Sequence, residues 1–126
     1  MQQHTLNTEI VDLVVKHLTD GSIPESFQVL YTAPSENYFL PMAEEVIKRL
    51  SAMPYPYTYS FDSISSGFKE VRFVDPIPKS FIGKKCDLLL IEDADLMSPD
   101  FVKFVDDVLR CYIVVVSTNK DVESQY

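Results

Sequence analysis

Residues 86–95 read CDLLLIEDAD, in which four large aliphatic residues in a row are followed by acids. An unbroken apolar run of this length is typical of a central parallel strand that is covered on both faces. Residues 27–33, 71–74 and 112–116 are also rich in β-branched, aromatic or aliphatic residues, and each run ends near prolines or polar residues. The sequence therefore predicts at least these four strands.

Helices are predicted between the strands because apolar residues recur at spacings of three and four. The first helix uses Leu6, Ile10, Leu13, Val14 and Leu18, the second begins near Pro41, and the third begins at Ser98-Pro99-Asp100. This alternation predicts an α/β three-layer sandwich with a mainly parallel sheet of about four to five strands, P-loop-NTPase-like or Rossmann-like. We expect a single domain over residues 1–120 and a polar C-terminal tail over residues 121–126.

Composition excludes some classes of function. The net charge of −8 disfavours direct binding to nucleic acid, because an acidic surface repels phosphate backbones. No apolar run approaches the roughly 20 residues that span a bilayer, and the first residues do not have the layout of a secretory signal. We therefore expect no membrane contact and a cytoplasmic location, in the host cell if the protein is viral. Cys86 and Cys111 are expected to be buried free thiols.

Polar residues follow three of the predicted strands, at residues 32–37, 92–95 and 117–120. Ligands in open α/β sheets bind beyond the carboxyl ends of the strands, so these segments predict one common site. Within it, Asp93 and Asp95 are the candidate ligands for Mg²⁺, because carboxylates at a strand end can hold this ion. No other cofactor is predicted.

The order of the segments adds a resemblance to a known group of proteins. Residues 29–35 (VLYTAPS), 71–74 (VRFV), 88–93 (LLLIED) and 114–119 (VVVSTN) resemble successive motifs of the nucleotide-binding core of helicases, phage terminases and the ATPase module of tRNA-cytidine acetyltransferases. The last two are shared with clamp-loader and initiator ATPases. The resemblance covers roughly residues 27–119. It implies a Walker B-like role for Glu92 and Asp93, and γ-phosphate contacts from Ser117, Thr118 and Asn119.

Two departures from that pattern concern catalysis. The acidic pair of the family is usually Asp then Glu, whereas here Glu92 precedes Asp93. The phosphate-binding loop, G-x-x-x-x-G-K followed by Ser or Thr, is absent from a sequence with only three glycines. Basic contacts to phosphate could come only from the loop that contains Lys79, Ser80, Lys84 and Lys85. The chain is thus predicted to be a degenerate P-loop core that is not a self-sufficient ATPase.

A protein partner is expected in place of a nucleotide. Tyr55, Tyr57 and Tyr59 lie in a proline-interrupted segment that is predicted to be an extended loop, and tyrosine offers a large contact area at low entropic cost. The missing first strand of the P-loop core would also leave an open sheet edge, which favours a homodimer or a stable complex. The leading hypothesis is a non-catalytic interaction or regulatory module associated with a nucleic-acid-processing machine.

Three alternatives stay open at this point. One is a Mg²⁺-dependent phosphoryl-transfer or ATPase site built from Glu92, Asp93 and Asp95. A second is an acidic mimic of DNA that inhibits a DNA-binding protein, which the net charge permits. A third is a receiver-like or flavodoxin-like domain in which Asp93 or Asp95 has a different role.

Overall fold

The computed structural model describes residues 7–84, 86–107, 113–117 and 122–124. It contains three helices, which are α1 (Thr8–Thr19), α2 (Phe39–Ala52) and α3 (Pro99–Asp107). The strands are β1 (Val29–Thr32), β2 (Thr58–Ser60), β3 (Ser63–Ser66), β4 (Lys69–Phe73), β5 (Leu88–Ile91), β6 (Ile113–Ser117) and β7 (Val122–Ser124). Short 3₁₀ turns lie at Glu36–Tyr38, Pro78–Phe81 and Ala94–Leu96. None of the described helices is long and apolar enough to cross a lipid bilayer.

The strands form one mixed sheet of seven strands in the order β2-β3-β4-β1-β5-β6-β7. The four central strands, β4, β1, β5 and β6, are parallel, whereas β2, β3 and β7 are joined by antiparallel pairs. The α/β class is confirmed. The expectation of a mainly parallel sheet of four to five strands is wrong, because both margins of the sheet are extended by antiparallel strands.

The central strands β1, β5 and β6 come from apolar runs of the sequence, whereas β4 mixes charged and apolar residues. Every residue of β1 and β5 is buried, and the two strands pair in parallel with Tyr31 opposite Leu90 and Thr32 opposite Ile91. Side chains alternate between the two faces of a strand. Val29, Tyr31, Leu88 and Leu90 accordingly pack on one face, and Leu30, Leu89 and Ile91 pack on the other.

Helices cover both faces of this sheet. On the first face, α1 and α2 bury the stripe that the sequence pattern predicted, including Ile10, Val14, Met42, Val46 and Leu50. On the second face, α3 and the Pro78–Phe81 turn bury Phe81 and Phe101, whose ring centroids are 5.5 Å apart. The two apolar clusters are the reason that β1 and β5 are buried on both faces.

The segment over residues 51–60 differs from its prediction as an extended loop. It ends in β2, which follows Pro54 and Pro56 and pairs antiparallel with β3. All three residues of β2 are exposed, and the strand forms one margin of the sheet. Proline is compatible with a strand at this position because an edge strand has one side without ladder hydrogen bonds.

Two further features concern the C-terminal tail and Cys86. Within the predicted polar tail over residues 121–126, Val122–Ser124 forms β7 and pairs with β6. Cys86 was expected to be a free thiol, but it is disulfide-bonded. Because disulfides persist mainly in oxidising compartments, this bond does not support the predicted cytoplasmic location. That location stays a prediction. Cys111 lies outside the described residues.

Candidate functional site

The carboxyl ends of β1, β5 and β6 lie next to one another at one edge of the sheet. These strands are parallel neighbours, and Ile91 of β5 is opposite both Thr32 of β1 and Val116 of β6. The first residue after β5 is therefore level with the last residue of β6. The structure brings Glu92, Asp93 and Ser117 together here, whereas Thr118 and Asn119 lie outside the described residues.

Glu92 is the centre of a buried hydrogen-bond network. Its side chain continues the alternation of Leu88 and Leu90 and points to the face that α1 covers. The Ser117 hydroxyl donates to Glu92 Oε2 at 2.6 Å, and the Tyr31 hydroxyl donates to Glu92 Oε1 at 3.4 Å. The backbone N–H of Asn7, the residue that caps α1, also hydrogen-bonds to the carboxylate. Both oxygens of Glu92 are thus bound by the protein itself.

Burial controls the ionisation of this network. Glu92 is only 1% exposed, and loss of solvation raises the pKa of its carboxyl. The nearby charge of Asp93 raises it further, while the hydrogen bonds from Ser117, Asn7 and Tyr31 oppose the rise. Burial and the Glu92 charge also raise the pKa of Tyr31, so its hydroxyl remains a donor at any ordinary pH. Glu92 therefore accepts hydrogen bonds within the protein and exposes almost none of its surface to solvent.

Asp93 adopts a backbone conformation that is uncommon for a residue other than glycine. Its φ and ψ are 48° and 53°, in the left-handed region that aspartate tolerates better than most residues. Two hydrogen bonds hold it there. The Asp93 backbone N–H donates to Ser117 Oγ at 2.9 Å, and Asp93 Oδ2 accepts from the Tyr38 hydroxyl at 2.8 Å. The Ser117 hydroxyl therefore accepts from one acidic residue and donates to the other.

The residues predicted to bind metal or phosphate do not converge on one site. Asp93 is half-buried and bound by Tyr38, while Asp95 is exposed in the following 3₁₀ turn. Within the described parts of the chain, no group of three His, Cys, Asp or Glu side chains is placed to hold a metal ion. Lys84 is exposed and lines a separate cleft, and Lys85 lies outside the described residues.

The three candidate contact tyrosines have different environments. Tyr55 is half-buried and packs against the core, and its backbone N–H donates to the Leu50 carbonyl at 2.8 Å. Tyr57 and Tyr59 are about two-fifths exposed, at 39% and 41%, and the adjacent Phe61 is 93% exposed. The solvent-facing aromatic side chains of residues 55–61 are thus Tyr57, Tyr59 and Phe61, which we call the hairpin aromatic patch.

Sequence reasoning missed Tyr31, Tyr38 and Asn7 as partners of the acidic pair. Strand alternation could have indicated Tyr31 and Ser117, because both share a face with Glu92 once β1, β5 and β6 are paired. No sequence signal indicates Tyr38, which reaches Asp93 from a 3₁₀ turn. Asn7 is of a residue type that often caps helices, but nothing in the sequence indicates that its backbone reaches Glu92.

The fold and this network define an α/β domain in which the acidic residues at the parallel strand ends are hydrogen-bonded by the protein itself. Comparison with known protein families, with curated proteins and with solved structures finds no match to the chain.

Proposed function

We propose that the chain is a non-catalytic interaction or regulatory module, built on a degenerate P-loop-like core, which docks on a protein of a nucleic-acid-processing machine. The proposal has two parts. The Walker B-like site has become a structural element, and the exposed surface at the sheet margin contacts the partner.

The environment of Glu92 carries the first part. A carboxylate that polarises an attacking water must face an open site with a free oxygen. Glu92 is 1% exposed, and its oxygens accept from Ser117, Tyr31 and the backbone of Asn7.

The position of α1 supports the same interpretation. Helix N-termini bind phosphate in nucleotide-binding folds because their backbone N–H groups and dipole favour negative charge. The N-terminus of α1 is where the resemblance would place the helix that follows the phosphate-binding loop, and here its cap residue Asn7 donates to the Glu92 carboxylate. The Glu92 carboxylate therefore lies at this helix terminus, in the position where a nucleotide phosphate would otherwise bind.

The hairpin aromatic patch supports the second part. Tyr57, Tyr59 and Phe61 lie beside or within the exposed edge strand β2. Exposed apolar side chains that lie together on a surface often mark a contact site, and aromatic residues are enriched where proteins bind each other. An edge strand can also accept a strand from a second protein through its free backbone groups.

The Mg²⁺-dependent alternative rests on Asp93 and Asp95, the two acids of this segment that solvent reaches. One or two carboxylates can hold Mg²⁺ when phosphates and waters supply the remaining ligands. This alternative predicts that the amide NMR signals of both residues move when Mg²⁺ is added at millimolar concentration. The proposed function predicts that they do not.

The direct test is ATP hydrolysis by the purified chain and by two variants, Glu92→Gln and Glu44→Gln. Glu44 is exposed on α2, makes none of the hydrogen bonds described for the network, and controls for the loss of one carboxylate. We expect no hydrolysis above the rate in buffer for any of the three proteins. Hydrolysis that is abolished by Glu92→Gln and retained by Glu44→Gln would overturn the proposal.

A further inference from the structure

A second candidate site lies at the same edge of the sheet, beside β4. A cleft of about 780 Å³ opens between the first turn of α2, the β2–β3 turn, the end of β4 and the segment that contains Ser80 and Lys84. Neither Glu92 nor Asp93 nor Ser117 lines this cleft. It is therefore separate from the acidic network, and its volume falls in the range of pockets that bind small ligands or side chains.

The topology of the sheet explains why a cleft opens there. After β1 the chain passes to α2 on one face, and after β4 it passes to the Pro78–Phe81 turn on the other face. β1 and β4 are adjacent parallel strands, so the connections that leave them separate in opposite directions. Such a point in an α/β sheet creates a crevice at the carboxyl ends of the strands, and ligands bind there in this class of fold.

One wall of the cleft is aromatic. Phe39 of α2 and Phe73 of β4 stack with ring centroids 5.7 Å apart and an interplanar angle of 21°. Leu40 is 56% exposed beside them, and Tyr59 and Phe61 of the hairpin aromatic patch complete the wall. Several large apolar side chains thus converge on one concave surface, which favours an aromatic group that can stack on them.

The charged residues that line the cleft indicate the sign of the charge that its ligand carries. Arg72 is already held by Asp62 at 3.3 Å and by Glu70 at 3.0 Å, so its charge is compensated from within the protein. Glu36 and Asp75 also line the cleft, and neither forms an ion pair with any other described residue.

Lys84 is the remaining cation of the lining. With Arg72 compensated, two carboxylates face one ammonium group in a chain whose net charge is −8. The local balance therefore favours a positively charged ligand over a negative one.

We propose that the cleft binds an aromatic side chain, together with a neighbouring positive charge, from an extended segment of a protein partner. The inference rests on the proposed function and identifies the chemistry of its partner. The extended conformation follows from the position of β2, because this edge strand leads directly into the cleft wall through Tyr59 and Phe61. The aromatic group stacks on the wall, and the positive charge lies near Glu36 and Asp75.

The test uses the full chain, labelled with ¹⁵N, and a five-residue peptide of alternating arginine and phenylalanine as the probe. Two matched peptides replace every arginine by glutamate or every phenylalanine by alanine. We expect the arginine–phenylalanine peptide to bind about tenfold more tightly than either control, and to shift the amide signals of residues that line the cleft. Equal binding of the glutamate peptide would overturn the inferred charge, and equal binding of the alanine peptide would overturn the aromatic group.

Two phenylalanines of one hairpin region provide matched variants. Phe61 lines the cleft and is 93% exposed, whereas Phe68 is 81% exposed in the β3–β4 turn and does not line it. Phe61→Ala should weaken the peptide by about tenfold, as expected for an aromatic anchor, and Phe68→Ala should leave affinity unchanged. Glu36→Gln should weaken it by about two- to fivefold, the range of an exposed ion pair. Equal effects of the two phenylalanine variants would overturn the assignment.

A small aromatic amine, benzylamine, distinguishes a protein segment from a free metabolite. If benzylamine binds as tightly as the peptide, the occupant is a small molecule and the proposed partner segment is wrong. Absence of peptide binding would overturn the cleft assignment and leave the non-catalytic function in place. ATP hydrolysis dependent on Glu92 would overturn the function whatever the cleft binds, so the two failures are distinguishable.

Discussion

Substitution of Ser117 by alanine should destabilise the fold through the acidic network. Ser117 is fully buried, and its hydroxyl donates to Glu92 Oε2 at 2.6 Å and accepts from the Asp93 backbone N–H at 2.9 Å. A hydrogen bond to a charged group contributes about 1.5–3 kcal/mol, and a neutral one contributes about 0.5–1.5 kcal/mol. Ser117→Ala should therefore lower the free energy of unfolding by about 3 kcal/mol.

Ser63→Ala is the matched control. Ser63 is also a buried serine in a strand of the same sheet, but among the described residues its hydroxyl bonds the Ser60 hydroxyl at 2.9 Å and no charged group. The control should cost about 1 kcal/mol, because no charged group loses its partner. Urea denaturation at pH 7, followed by far-ultraviolet circular dichroism, gives both values.

A double-mutant cycle tests whether Ser117 acts through the Glu92 charge. In a Glu92→Gln background the cost of Ser117→Ala should fall by about 1 kcal/mol or more, since no carboxylate is then left without its donor. Strict additivity of the two substitutions, or a cost of Ser117→Ala no larger than that of Ser63→Ala, would refute the network as a charge-bearing structural unit.

Three other residues give predictions with defined outcomes. Burial raises the folded-state pKa of Glu92, so wild-type stability should fall as pH rises above the ordinary carboxyl pKa of 4.5. Glu92→Gln should therefore gain stability relative to wild type over the same rise in pH. Burial lowers the pKa of His17, so wild-type stability should fall as pH drops below about 6.5. The buried ring of His17 has a weak contact with the Glu70 backbone and no well-formed hydrogen bond among the described residues, so His17→Leu should stabilise the fold by about 1 kcal/mol at pH 7 and by more at pH 5.5. Asp93→Ala should lower the free energy of unfolding by about 1–2 kcal/mol, because it loses the hydrogen bond from Tyr38 and places alanine in a left-handed backbone conformation. Asp93→Asn should lower it by less than about 0.5 kcal/mol. Equal urea midpoints for the two variants would contradict this prediction.

The central part of the fold follows from local sequence pattern. Residues 88–91 form a strand because four large aliphatic side chains can be buried only where both faces of a sheet are covered. The margins of the sheet carry no comparable signal. Ser63–Ser66 is polar apart from Ile64, and Val122–Ser124 is three residues long, so both strands depend on backbone pairing with a neighbour. Pairing of that kind is a tertiary property that a local window cannot show.

The location of the acidic site was predictable, but its chemistry was not. Parallel strands bring their carboxyl ends to one edge, which is sufficient to place Glu92 near Ser117. Whether Glu92 faces solvent or the helix layer depends on the register of three strands and on the start of α1. These features bury the carboxylate under Asn7 and Tyr31. The strand-end pattern therefore predicted where the acids lie, and the buried contacts favour a structural role for them.

The most direct test of the account is calorimetric titration of the purified chain with ATP, with and without Mg²⁺. A self-satisfied acidic site and the absence of a phosphate-binding loop from the sequence predict no binding at millimolar nucleotide under either condition. Mg²⁺-dependent binding of ATP that is lost in Asp93→Ala would contradict the account and make the strand-end acids a nucleotide site.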